Sequence, residues 1–273
     1  MAEKQEFKLP ENFSVVIPKN PSDLVIVGIP KIGKSVLMGD FSKKYNAVIL
    51  NLEKEAYAYI EGKIINIHTS NETTTIEAYE NYIKYRNLLL DNKGKYDYLL
   101  IDGLSDLDAL SVIGGTYLYM FNSPQGKNFN RDKQGNVYKY GDENFKLVTD
   151  LGEGHGYAWS RKFFLDQIEL FKQVAPHRIY NAHIADKLLR DGGKEEVNVS
   201  EIALTGKLKT IFASRVTALA KISSDEDKRY LNFDVMGEGI LAGSRDPNLK
   251  GQILISEKDK KGDIVTHWDK IYK

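Results

Sequence analysis

The chain contains no cysteine, no long apolar run and no excess of either charge, and each absence removes a class of function. Without thiols there are no disulfides, no thiolate metal sites and no cysteine nucleophile, and a reducing, cytoplasmic setting is expected. No apolar run approaches the roughly 20 residues that a membrane helix needs. The start, MAEKQEFKLPENF, has no apolar signal-peptide core. A water-soluble protein with no membrane partner is therefore expected. Lysine and arginine together number 38, against 38 aspartates and glutamates, so no whole-molecule field draws in a polyanion. Any nucleic-acid site has to be local.

Beta-rich apolar runs alternate with helical patterns. DLVIVG is followed by a helix expected from about Lys34 to Tyr45, then by AVILNL near residue 50. IEAYENYIKYRNLLLDN places Ile76, Tyr79, Ile83 and Leu90 at helical spacing, and YDYLLIDG comes next. Strands apolar on both faces and separated by helices read as a buried parallel sheet, so the class is α/β, a mostly parallel central sheet flanked by helices. The end of the chain, from SRVTALAKI through RYLNFDV to QILISE, reads as antiparallel strands. No linker composition and no repeat divides the chain. An N-terminal arm over 1–21 and one domain over 22–273 are expected, interrupted by an insertion at about 117–158 that includes a hairpin near VYKYG.

Gly28, Gly33, Lys34 and Ser35 fit the spacing G-x-x-x-x-G-K-[ST] between an apolar strand and a helix. In such a loop, here Gly28, Ile29, Pro30, Lys31, Ile32, Gly33, Lys34, Ser35 and Val36, backbone amides and the helix N-terminus face an anion. The lysine reaches the outer phosphates and the hydroxyl ligates magnesium. A nucleotide bound with Mg2+ is the expected ligand. YDYLLIDG ends in Asp102, an acid at the carboxyl edge of a neighbouring strand, where a magnesium partner of Ser35 belongs. The alternative is a glycine-rich turn plus an Asp that caps the next helix. AVILNLEKE delivers Glu53 just past its strand. There it is either the general base for hydrolysis or a solvated helix-capping residue.

The order of these parts resembles the RecA-type core of P-loop ATPases, in which a catalytic Glu follows the second strand and the magnesium Asp the third. NAHI at 181–184 matches the position of a short polar motif that senses the terminal phosphate. The resemblance implies that role for His183, where RecA itself carries an amide; a buried His bonded to backbone is the alternative. TGKLKTIFASRVTALAKI at 205–222 resembles the turn, helix and strand behind the second DNA-binding loop. ILAGSRDP at 240–247 resembles a strand end that presents cations to the neighbouring subunit's ATP, implying a trans-acting finger for Arg245, or else a surface arginine in a turn.

In detail the chain is similar to phage nucleotide-binding proteins of this superfamily linked to single-strand annealing, over about residues 22–256. The resemblance implies a catalytic set of Lys34, Glu53, His183 and Arg245, and a metal pair of Ser35 and Asp102. It further implies ATP-dependent action on single-stranded DNA in phage-type recombination or replication, as a homo-oligomer beside a single-strand-binding protein, in the host cytoplasm if phage-encoded.

Two regions are candidates for DNA. The second loop carries Lys187, Arg190, Lys194, Lys207 and Lys209, balanced by Asp186, Asp191, Glu195, Glu196 and Glu201. The insertion interleaves Tyr117, Tyr119, Phe129, Tyr138, Tyr140, Tyr157 and Trp159 with Lys127, Arg131, Lys133, Lys139, Lys146, Arg161 and Lys162. Stacking faces beside cations suit single strands, although aromatics in an insertion also make a satellite core. Two other functions use the same loop: a small-molecule or nucleotide kinase, for which the span 120–162 supplies only Arg131 and Arg161 as lid arginines, and a non-hydrolysing nucleotide-gated binding module.

Overall fold

The computed structural model describes residues 19–54, 57, 59–190, 196–234 and 242–273. All but the last three residues of the expected N-terminal arm lie outside these, as do Asp191, Lys194, Glu195 and the first two residues of ILAGSRDP.

The apolar runs become strands, and three of them are buried on both faces. β1 (Asp23–Gly28) is buried along its whole length, as are β2 (Ala47–Asn51) and β4 (Tyr98–Asp102). Alternation decides which helix each residue meets. Leu24 and Ile26 join Leu37, Met38 and Phe41 of α1 (Lys34–Lys44), together with Trp268 and Tyr272 from the end of the chain. Val25 and Val27 face the other core, built from α2 (Thr75–Asp91), α3 (Leu104–Asn122), α4 (Gly156–Val174) and α5 (Leu208–Ala213). Burial of each such Leu or Ile contributes about 1.5–3 kcal/mol. An exposed ion pair such as Lys43–Glu61 contributes about 0–1. The two-sided core therefore dominates the stability.

The remaining strands are β3 (Ile64–Asn66), β5 (His177–Arg190), β6 (Glu196–Ile202), β7 (Ala218–Asp225), β8 (Lys228–Asn232), β9 (Gly243–Ser244), β10 (Gln252–Lys258) and β11 (Ile264–Thr266). The order is β11-β10-β8-β7-β1-β5-β4-β2-β3, with β6 paired to β5 and β9 to β7. From β7 to β3 the strands are parallel, which gives an α/β fold with a mostly parallel sheet, flanking helices and C-terminal antiparallel strands. SRVTALAKI opens the antiparallel part as expected: its strand β7 pairs antiparallel with β8 across the charged turn and with β9, while its other edge runs parallel to β1 over Leu24–Val27.

Helix ends follow local chemistry. α2 starts in a capping box: Glu77 N donates to Thr74 Oγ1 at 3.3 Å, and Thr74 N donates to Glu77 Oε2 at 2.8 Å. The expected insertion is narrower than 117–158, since α3 runs on to Asn122 and α4 begins at Gly156. Between them lie short 3-10 turns and, in place of a full hairpin, one bridge between Arg131 and Val137. That loop is tied by Asp132 Oδ1, which accepts from the amides of Gln134 and Asn136 at 2.9 and 2.8 Å.

Candidate functional site

The loop after β1 turns through Lys31 (φ 64°) into Gly33 (φ 107°), a left-handed position that favours glycine. Gly33 precedes α1 with no side-chain cap, and the first turn carries no acid. The first helical bond is Leu37 N to Gly33 O at 3.1 Å, so the amides of Lys34, Ser35 and Val36 precede the ladder. A helix start of this kind suits an anion. Lys34 is buried and folds back over the loop, donating from Nζ to Gly28 O at 3.0 Å and Ile29 O at 3.1 Å. Burial holds its ammonium below the usual lysine range, opposed by the carboxylates of Glu53 and Asp102.

A row of polar side chains crosses the sheet where the apolar strands end. Asn51, Asp102 and Asn181 are in register on β2, β4 and β5, and His183 is level with Gly28 of β1. Asp102 is fully buried; it accepts from Tyr57 OH at 2.7 Å and from Asn181 Nδ2 at 3.0 Å. The Ser35 side chain lies beside the same phenol and opposes the rise in its pKa. Ser35 and Asp102 thus converge on one hydroxyl. Burial and the adjacent Asp102 push the Tyr57 phenol well above its usual range, so it stays a neutral donor.

Glu53 is held by its backbone: its N–H donates to Asn51 Oδ1 at 3.1 Å, and Asn51 Nδ2 donates to Glu53 O at 2.9 Å. Its Oε1 lies 3.1 Å from His183 Nε2. Burial raises the proton affinity of Glu53, Asp102 raises it further, and His183 and Lys34 oppose the shift. His183 Nδ1 and Asn181 Oδ1 are buried without a hydrogen-bond partner. Gly103 (φ 100°) lets the acids converge, since a Cβ there would sit 2.9 Å from both Glu53 Cγ and Asp106 Oδ2. Burial, and then the charge of Glu53, push the Asp106 carboxyl up to about 6.

The structure therefore brings Gly28–Val36, Glu53, Asp102 and His183 to one edge of the sheet, but not Arg245. Arg245 N donates to Thr217 O at 2.9 Å and its guanidinium bonds Ser214 O, while Thr217 N donates to Asp23 O at 3.1 Å. Arg245 is thus level with the start of β1, and the loop follows its end. Five strand residues separate them, about 16 Å. Another arginine occupies the loop's flank: Arg229 Nε of β8 donates to Ile32 O at 2.9 Å.

Sequence reasoning missed Tyr57, Asp106, Asn181 and Arg229 as site residues. Asn181 opens the NAHI motif, and Asp106 follows Asp102 by four residues, so both carried a signal. Arg229 and Tyr57 carried none.

In the insertion, Tyr119 meets Phe129 (5.3 Å) and Trp159 (5.7 Å), and Phe145 meets Tyr117 (5.8 Å) and Tyr140 (5.6 Å). Those rings pack on one another and stay half-buried, so part of their surface remains open. In the second loop Lys209 pairs with Glu201, and the side chains of 186–199, which include Lys187 and Arg190, lie outside the description.

Comparison with protein-family models gives no match for this chain, and neither does comparison with curated proteins. Among the described residues no group of three or more His, Asp and Glu side chains is arranged to hold a metal, and no helix is long and apolar enough to cross a membrane. A magnesium ion bound with a nucleotide needs no such cage, because phosphate oxygens and water complete its shell. The meeting of Ser35 and Asp102 at one hydroxyl fits that donor set.

Proposed function

We propose that this chain is a RecA-like P-loop ATPase that acts on single-stranded DNA. The observation that carries the reading is the convergence of Ser35 and Asp102 on the Tyr57 hydroxyl, beside the uncapped start of α1 and the buried ammonium of Lys34. Strand order supports it. β1 has β5 and β7 as neighbours, the chain crosses from β1 to α1 and β2 on one side and reaches β7 on the other, and ligands of α/β sheets bind at such a reversal.

In this reading Lys34 leaves its carbonyl partners for the outer phosphates of ATP, and the amides at the start of α1 take the phosphate oxygens. Ser35 and Asp102 would hold Mg2+, which supplies neutralising charge to the phosphates. Glu53 is the base. A water oxygen attacks the terminal phosphorus, the bond to the ADP oxygen breaks, and the water's proton passes to a Glu53 carboxylate oxygen. Its raised proton affinity suits that task. His183 orients the carboxylate through Nε2 and stands where β5 leaves the main sheet to pair with β6, so a change at the phosphates reaches that hairpin. Arg245, remote from its own loop, serves the ATP of a neighbouring copy in a homo-oligomer.

ATP hydrolysis measured with and without single-stranded DNA, alongside mass determination in ATP, tests the reading. Turnover that rises with DNA, is lost in Lys34→Ala and accompanies assembly is expected. Turnover indifferent to DNA removes the DNA role, and absent turnover removes the ATPase.

A further inference from the structure

A groove of about 650 Å³ lies between the first part of α2, the last third of α3 and the loop at 139–142. Its volume is that of a small-molecule site, within the usual range of about 300–1,000 Å³. Tyr79 and Tyr117 line it, their ring planes within 22° of parallel and their centroids 6.1 Å apart. Tyr117 is fixed, because its hydroxyl accepts from Tyr140 N at 3.0 Å. Lys84 and Lys139 stand exposed at the groove and form no ion pair among the described residues. Glu80 and Asp142 are also there. The Asp142 carboxylate is partly engaged, accepting from Lys139 N at 2.7 Å. Rigid aromatic faces, two free cations and carboxylate acceptors match a planar base with N–H donors on its edge, carried on a phosphate backbone.

One wall of the groove, the first part of α2, starts at the end of the parallel sheet where the phosphate loop sits. α2 begins just after β3, and in that connection His68 Nε2 lies 3.1 Å from Leu52 O, the residue before Glu53.

We infer that this groove binds the bases of single-stranded nucleic acid, with Tyr79 and Tyr117 as the stacking faces and Lys84 and Lys139 on the backbone phosphates. The inference takes its ligand class from the proposed function, and the two can fail separately.

The test is the anisotropy of a short fluorescein-labelled poly-dT oligonucleotide with wild-type protein and no nucleotide. Tyr79→Leu, which keeps apolar volume and loses the stacking face, should weaken binding about tenfold, and Tyr79→Phe should not. The double variant Lys84→Glu/Lys139→Glu, exposed and safe for folding, should weaken binding and flatten its salt dependence. Lys34→Ala should bind as wild type. Wild-type affinity in both Tyr79→Leu and the lysine variant overturns the inference. Thymidine monophosphate binding as tightly as the oligonucleotide overturns the single-strand assignment. Absent ATP turnover with these losses intact sinks the ATPase reading alone. DNA-stimulated turnover undiminished in Tyr79→Leu sinks the groove alone.

Discussion

β1 and β5 carry a buried charged cluster at each end, and the two clusters are built differently. At the start of the strands Arg178 meets Asp23 through two bonds, Nε at 2.9 Å and Nη2 at 2.8 Å. Its remaining nitrogen donates to Ala175 O and Pro176 O, and Tyr180 OH adds a bond to Asp23 at 3.3 Å. Burial works against the guanidinium charge, and the bonds to Asp23 more than restore it, so its proton is held more tightly than usual. At the other end the same strands deliver Gly28, Asn181 and His183 to a cluster where atoms of two residues lack partners and charges are held against their preference. A buried polar group without a partner costs about 1–3 kcal/mol. In the closed cluster every polar side-chain atom of Asp23, Arg178 and Tyr180 has a partner, whereas in the open cluster Asn181 Oδ1 and His183 Nδ1 have none within the protein.

The largest effect should come from breaking the closed cluster. Arg178→Ala leaves Asp23 buried and uncompensated, and urea unfolding should show a loss of about 3–5 kcal/mol with nucleotide affinity retained in the folded fraction. The double change Asp23→Leu/Arg178→Met should recover most of that loss, since a buried pair contributes little against apolar residues of similar size. If the double variant is as unstable as the single, the pair is more than a satisfied structural contact.

Lys34→Ala should do the opposite to the open cluster. It removes a cation held in an unfavourable place, so thermal stability should hold or rise, while ATP turnover falls on the order of 10³-fold. A loss of turnover matched by a loss of folding would erase the contrast between the ends. Next comes Glu53→Gln, expected to lower turnover on the order of 10²-fold while ATP binding, followed by equilibrium dialysis, is kept. Unchanged turnover would favour the non-hydrolysing binding module.

The parts of this architecture written in short windows were legible. β1, β2 and β4 announce themselves as runs apolar on both faces, and the glycine-lysine-serine turn followed by a helix fixes where the loop sits. Asp102 was legible because it ends such a run. Parts made by distant pairing were not. Tyr57 reaches Asp102 across 45 residues, and Arg229 reaches Ile32 across 197, with no local pattern to link them. β3 has three residues, too few to show a period. The antiparallel turn from β7 to β8 was legible, but the parallel pairing of β7 with β1 is a distant contact that alternation alone does not encode. α3 runs past residue 117 into the span read as an insertion, and there Tyr117 and Phe121, four residues apart, stack on its surface.

The smallest expected effect concerns Asp106, which joins the open cluster without an assigned role. Its carboxyl is raised from 3.8 to about 6 by burial and by Glu53, so between about pH 4 and 6 the folded chain keeps a proton that the unfolded chain has released. More protons bound to the folded state mean that stability falls as pH rises through this window. Glu53 is shifted in the same direction and adds to the slope. Asp106→Asn should make the slope shallower and raise stability near pH 7 by about 1 kcal/mol, less than the full shift because the carboxyl is partly solvated. Urea midpoints measured across that range would show it. A slope as steep in Asp106→Asn as in wild type would mean that the convergence of acids over Gly103 costs the fold nothing, and the open cluster would then be as settled as the closed one.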